Sequence, residues 1–140
     1  RQAIKAISEA ESYDGPALIV AYSPCQQHGM PAKLGMSHQA DEQRKAVESG
    51  YWPLYRYDPR RREKGENPFQ LDFKKLKIQV SEFLEGENRF AMLDRANPEK
   101  AKMLHEELQK EVEKRHAERV RMAMSDKQLY KELKKTYGKK

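Results

Sequence analysis

A single cysteine, Cys25, stands in 140 residues. One thiol excludes an internal disulfide, so nothing in the chain argues for an oxidising, secreted setting. Long apolar runs are also missing. The longest, Ala17-Leu18-Ile19-Val20-Ala21-Tyr22, has the length of a strand and falls far short of the ~20 residues that cross a bilayer. No signal-peptide pattern is present, and a cytoplasmic protein without membrane contact is expected. There is no glycine-rich phosphate loop, no telling pair of carboxylates and no internal repeat. No feature of the sequence suffices for catalysis alone.

Charge is what the chain has in quantity. Charged residues make up 36% and hydrophobic residues 37%, with a mean hydropathy of -1.06. Such a polar chain is either largely solvated helix or carries faces that need a partner. The net charge is +6 and the isoelectric point is about 9.3. Much of the excess sits in Arg60-Arg61-Arg62 and between Lys127 and Lys140. This balance permits nucleic-acid binding without requiring it, and a basic tail is more often a solvated end. The first helical pattern starts at Arg1 with no capping residue before it, as in a chain cut inside a helix, so a fragment is expected.

Hydrophobic spacing predicts a helix from Arg1 to Tyr13 on Ala3, Ile4, Ile7 and Ala10, stopped by Asp14-Gly15-Pro16. The run from Ala17 to Tyr22 reads as a strand buried on both faces, as in a parallel sheet under helices. A loop from Ser23 to Gln39 follows, of a length often tied to function. Asp41 is placed to cap a helix over Glu42 to Ser49, with Gly50 as its stop. Tyr51 to Tyr57 reads as a strand, with Pro53, which has no ladder donor, pointing to an edge position or a strand start. Phe69, Leu71 and Phe73 alternate with polar residues, as do Ile78 and Val80, and both suggest short extended pieces. A helix is expected from Ser81 or Glu82 to about Asp94 on Phe83, Leu84 and Phe90. Asn97-Pro98-Glu99 is a strong helix start, and Leu104, Leu108 and Val112 give that helix one stripe. The order fits part of an α/β sheet followed by an all-helical extension.

Cys25 is the sharpest candidate for chemistry. It lies just past the carboxyl end of the expected strand, where open α/β sheets bind ligands. A thiol there can ligate metal, attack an electrophile or simply pack, and packing is the commonest fate of a free cysteine. A nucleophile needs a base, and His28 and His38 are the sequence neighbours, with no acid marked out to orient either ring. A zinc site from Cys25, His28 and His38 matches no strong spacing. His105 and His116 fall on a charged helix and are expected to be exposed. The aromatic run at Tyr51, Trp52, Tyr55 and Tyr57 can stack bases, though packing is its ordinary use. Arg60, Arg61 and Arg62 can hold phosphate, though a solvated loop is the commoner meaning. A basic nucleic-acid or protein-binding module therefore stands as the alternative, with a Cys25–His28 nucleophile enzyme as a third reading.

Three segments carry a family resemblance. Glu9-Ala10-Glu11-Ser12-Tyr13-Asp14-Gly15-Pro16 continuing to Tyr22-Ser23-Pro24-Cys25 is one. Val47-Glu48-Ser49-Gly50-Tyr51-Trp52-Pro53-Leu54-Tyr55-Arg56-Tyr57-Asp58-Pro59 is the second, and Asn67-Pro68-Phe69-Gln70-Leu71-Asp72 the third. In that order they resemble the C-terminal region of the pyruvate:ferredoxin (flavodoxin) oxidoreductases. Glu87-Asn88-Arg89-Phe90 and Asn97-Pro98-Glu99 extend the similarity to about residues 3–115.

The resemblance implies residues 1–95 as the C-terminal part of a thiamine-diphosphate-binding domain and residues 96–140 as a helical extension. It implies an enzyme that decarboxylates pyruvate on thiamine diphosphate with Mg2+ and passes the acetyl group to coenzyme A. Electrons leave through 4Fe–4S clusters to ferredoxin or flavodoxin. Cys25 matches the family's Tyr-Ser-Pro-Cys cysteine, a ligand of the cluster nearest the thiamine. A homodimer is implied, and nucleic acid is not. The family's Gly-Asp-Gly thiamine segment and its other cluster cysteines are absent from this sequence. The 140-residue chain alone is therefore expected to be inactive, with the remainder of the oxidoreductase chain as its partner.

Overall fold

A computed structural model describes residues 1–25, 36–125 and 128. Five helices and one small sheet are formed among them: α1 (Gln2–Glu11), α2 (Gln39–Glu48), β1 (Tyr55–Tyr57), β2 (Phe69–Leu71), α3 (Val80–Leu84), α4 (Asn88–Ala96) and α5 (Pro98–Met122). Short 3-10 turns at Met36–His38 and Pro59–Lys64 complete the order. Mixed helix and sheet agrees with an α/β chain. The stop of α2 and the start of α5 follow their local signals, whereas α2 begins at Gln39 and not Glu42, so Asp41 falls within its first turn and does not cap it. Gly50 takes the left-handed φ of +82 that ends α2, and a Cβ there would lie 2.6 Å from Leu76. Asn97 Oδ1 accepts from the Lys100 amide at 3.0 Å and opens α5 at Pro98.

The parallel sheet is where observation departs from expectation. The one sheet among the described residues is antiparallel, pairing Tyr55 with Leu71, Arg56 with Gln70 and Tyr57 with Phe69. Ala17 to Tyr22 belongs to no strand, and Leu18 is 88% and Val20 69% exposed. A strand buried on both faces needs neighbouring strands and two helical layers. The described residues bring none to it. Two smaller corrections follow the same line. Ile78 and Val80 form no extended piece, because Val80 opens α3, where Glu82 turns back to accept from the Gln79 amide. The single helix expected over 81–94 is two, broken at Glu85-Gly86-Glu87.

The chain divides into two compact units. The first holds residues 1–19 and 54–74 with the described residues from 117 on. Its sheet buries Phe69 and Leu71 on one face and a polar cluster on the other. Arg56, 9% exposed, donates Nε and Nη2 to Asp72 at 2.9 and 2.8 Å and Nη2 to Gln70 at 3.1 Å, and its Nη1 pairs with Glu9. Gln2 reaches Asp72 at 3.0 Å, and Gln70 reaches Glu9 at 3.2 Å. The polar face of the sheet thus holds the polar side of α1. On the sheet's other face Tyr55 and Phe69 stack at 5.3 Å. Asn67 donates to the carbonyls of Met122 and Met124 at 2.7 and 2.8 Å, capping the end of α5.

The second unit, residues 20–53 and 75–116, has an apolar core. Ala46, Val80, Phe83, Leu84 and Val112 are buried, with Tyr22, Tyr51, Trp52, Leu76, Phe90 and Leu108 packed against them. Leu108 and Val112 of the expected α5 stripe face this core, and Ala101 is also buried, whereas Leu104 is left at its edge, 36% exposed.

Candidate functional site

Cys25 is exposed, at the end of the segment that leads out of the second unit's core. Three residues before it, Tyr22 is the anchor. Its ring lies 5.3 Å from that of Trp52, and its carbonyl accepts from Gln43 Nε2 at 3.4 Å. Its hydroxyl donates to Glu87 Oε1 and accepts from Arg89 Nη2, both at 3.4 Å. These polar contacts are long, so the aromatic packing carries more of the anchoring than the hydrogen bonds do. Glu87 is fully buried and is paired with Arg89 at 2.8 Å.

A second carboxylate, Glu42, lies in the same unit. It occupies the buried face of α2 with Ala46, one turn later, and Ser49. Gly86 lies opposite it, and a Cβ there would fall 2.3 Å from Glu42 Oε2, so a side chain at 86 would displace the carboxylate. Lys45 stands 3.6 Å from Oε2, whereas Oε1 meets no donor among the described residues. Burial raises the Glu42 carboxyl above the ordinary carboxylate range, against the pull of Lys45 and with a further push from Glu87. Burial, and next the Glu87 charge, likewise holds the Tyr22 hydroxyl up at about 12. The cluster therefore keeps Tyr22 as a neutral donor.

Spacing along the chain hid this pair, because Glu42 and Glu87 come from different elements. One signal was available: Glu42 falls four residues before Ala46, on the same side of a helix.

The other candidates are dispersed. His28 lies outside the described residues. His38 ends a 3-10 turn with Ser37 Oγ 3.1 Å from its Nδ1. No three His, Cys, Asp or Glu side chains gather as a metal site among the described residues. His105 and His116, expected on the surface, are half-buried. His105 Nδ1 lies 3.7 Å from Asp94 and its ring meets Phe90 edge-on at 6.4 Å. A groove of about 560 Å³ beside it is lined by Asp94, Lys102, Glu106 and Lys110, charges of both signs with no dominant one.

The arginine triplet is structural on two of its three members. Arg60 grips Asp58 at 2.9–3.2 Å and the Ser12 carbonyl at 2.8 Å, beneath the Tyr13 ring. Arg61 donates to the Asn67 carbonyl at 2.9 Å and pairs with Glu66. Arg62 stands 6.0 Å over Tyr57. Guanidinium groups engaged in this way are poorly placed to hold phosphate. The aromatic run is split between the units: Tyr51 and Trp52 pack in the second core, and Tyr55 stacks in the first.

No established family profile matches the chain. Individual relatives do. Pyruvate dehydrogenase (NADP+), mitochondrial, of Euglena gracilis is 49% identical over 107 residues, 76% of this chain and 6% of that protein. Pyruvate:ferredoxin oxidoreductase of Moorella thermoacetica is 50% identical over 103 residues, 74% of this chain and 8% of that protein. Pyruvate-flavodoxin oxidoreductase of Nostoc sp. is 46% identical over 114 residues, 81% of this chain and 9% of that protein. These relatives are enzymes by name, and the chain spans less than a tenth of the length of each. The similarity read from the three motifs is borne out.

Proposed function

Since most of this chain corresponds to one segment of the pyruvate:ferredoxin (flavodoxin) oxidoreductases, we propose that it works as the C-terminal segment of such an enzyme and gives the enzyme one iron–sulfur ligand, Cys25. The observation that carries this is identity near 50% to named pyruvate oxidoreductases over about three quarters of the chain, and the Tyr22-Ser23-Pro24-Cys25 segment is the part of the resemblance that names the ligand. In this reading residues 1–95 complete a thiamine-diphosphate-binding domain and residues 96–140 form a helical extension. Ala17 to Tyr22 becomes a strand of that domain once the neighbouring strands are supplied. Its exposed apolar side chains and the lack of any hydrogen bond to residues 17–21 among the described residues support that role.

The donor set fits a shared cluster. A four-iron cluster takes four thiolates, and this chain holds one cysteine, so three ligands belong to the rest of the polypeptide. An exposed thiol is available to such a centre, whereas a thiol packed in a core is not. When bound, the cluster supplies one-electron transfer away from the thiamine. The residues of this chain do the positioning. Trp52 and Glu87 hold Tyr22, Pro24 restricts the backbone before the thiol, and Gln43 ties the Tyr22 carbonyl to α2.

Pyruvate, coenzyme A, thiamine diphosphate with Mg2+, ferredoxin or flavodoxin as acceptor, a homodimer and a cytoplasmic setting belong to the same proposal. Cys25→Ser in the full-length polypeptide is expected to remove one cluster's iron and its electron paramagnetic resonance signal while leaving the fold intact. Unchanged iron content would overturn the assignment. The purified 140-residue chain is expected to show no thiamine-dependent pyruvate decarboxylation.

A further inference from the structure

Helix α1 is built inside out. Gln2, Ala6, Glu9 and Ala10 form its half-buried side, and that side is held by charge and amide groups. Glu9 pairs with Arg56 and accepts from Gln70, while Gln2 donates to Asp72. The apolar stripe points the other way. Ile4 is 70% and Ile7 52% exposed, with Ala3 exposed beside them. In the same unit Leu18 is 88% and Ile19 50% exposed. A surface helix ordinarily turns its apolar stripe to the core and its charges to water. Here the polar side is already taken by Arg56, Asp72 and Gln70, so α1 cannot roll over to bury Ile4 and Ile7 without breaking that network. The apolar face is left for something else to cover.

We propose that Ala3, Ile4 and Ile7 of α1 form a docking face for an apolar surface of the remainder of the oxidoreductase polypeptide, lying outside these 140 residues. The inference rests on the reading of the chain as one segment of that enzyme. More than nine-tenths of each named relative lies outside the match, so the chain that must supply the cover is at hand. A membrane is a poor occupant. Helices that lie in lipid headgroups carry a free basic face, whereas α1 has Glu9 and Glu11 against Lys5 and commits its polar side to the protein. A second copy of the chain is the remaining rival, and the test separates it.

Amide hydrogen exchange is compared between the 140-residue chain and the full-length polypeptide, each as wild type and as the Ile4→Glu, Ile7→Glu double variant. Residues 2–11 are expected to exchange at least tenfold more slowly in the full-length protein, and the double variant to lose that gain. In the short chain the variant should retain its helical circular dichroism, because neither isoleucine is buried there, and should bind less of the apolar dye anilinonaphthalene sulfonate. Equal exchange in the two lengths, or a gain that survives the variant, overturns the proposal. Light scattering that shows a short-chain dimer dissolved by the variant overturns the assigned occupant in favour of self-association. Iron content of the Cys25→Ser full-length protein reports on the cluster reading separately, so that the two can fail independently.

Discussion

The two units of this chain hold themselves together by opposite means. In the second, Phe83, Val80 and Leu84 are sealed among aromatic and aliphatic neighbours, and removal of apolar surface from water supplies the stability. In the first, the sheet buries Phe69 and Leu71 on one face and Arg56 on the other, where the guanidinium is held by acceptors from Glu9, Gln70 and Asp72. An apolar core tolerates imperfect fit by degrees. A charge network loses most of its value when one member goes, because the others remain half-buried without a partner. The unit with the charged interior is also the one with isoleucines on its surface.

The largest expected effect lies on the apolar side. Phe83→Ala should destabilise the second unit by about 3–5 kcal/mol, since the ring is fully buried and touches Tyr51 at 4.6 Å. Denaturant melts followed by unit-resolved hydrogen exchange should show the second unit opening first. If the first unit opens equally, the division into independently held units is broken.

Arg56→Ala comes next, at roughly 2–3 kcal/mol, below the full figure for a buried pair because Glu9 and Asp72 keep 22% and 16% of their side-chain surface in water. The comparison is sharpened by replacing the set. A variant carrying Arg56→Met, Glu9→Leu and Asp72→Leu should recover much of the loss, because no unpaired charge is left behind. Failure to recover would mean that the network holds the geometry of α1 as well as neutralising charge.

The smallest effect is in pH, and its sign differs between the units. Asp72 is partly buried, which would raise it, but hydrogen bonds from Arg56 and Gln2 prevail and hold it below the usual carboxylate range. Its contribution is present above that range and is lost as pH falls through the lowered value. Glu42 is raised, so the folded second unit takes up its proton before the unfolded chain does. Stability there increases as pH falls through the raised value and stops changing below the ordinary one. As pH falls toward about pH 4, protection from amide exchange, taken against the intrinsic rate at each pH, should rise in the second unit, and below that range it should fall in the first. Glu42→Gln should abolish the first change and leave the second.

Much of this was legible locally. Gly50 as a helix stop, Asn97-Pro98 as a helix start and the Phe69–Leu71 strand follow from short-range sterics and capping, which the neighbouring residues dictate. Three motifs in one order named the relatives, because such a match depends on sequence alone. Ala17 to Tyr22, read as a buried strand, pairs with no strand among the described residues, since an apolar run records that burial is wanted and not who supplies it. Arg60 and Arg61 looked like a basic patch until their acceptors, Asp58, Ser12 and Asn67, were brought to them by the fold.

By itself, then, the sequence determined the stop of α2 at Gly50 and the start of α5 at Asn97-Pro98, which residues seek burial, that one thiol is present, and which enzymes share its motifs. These are properties of adjacent residues. Only tertiary structure decided that Glu42 and Glu87 share a buried unit, that Arg56 forms the centre of a charge network, and that α1 turns its isoleucines outward. Each of these depends on residues tens of positions apart meeting in space, and on which burial and which ion pair prevail when they meet.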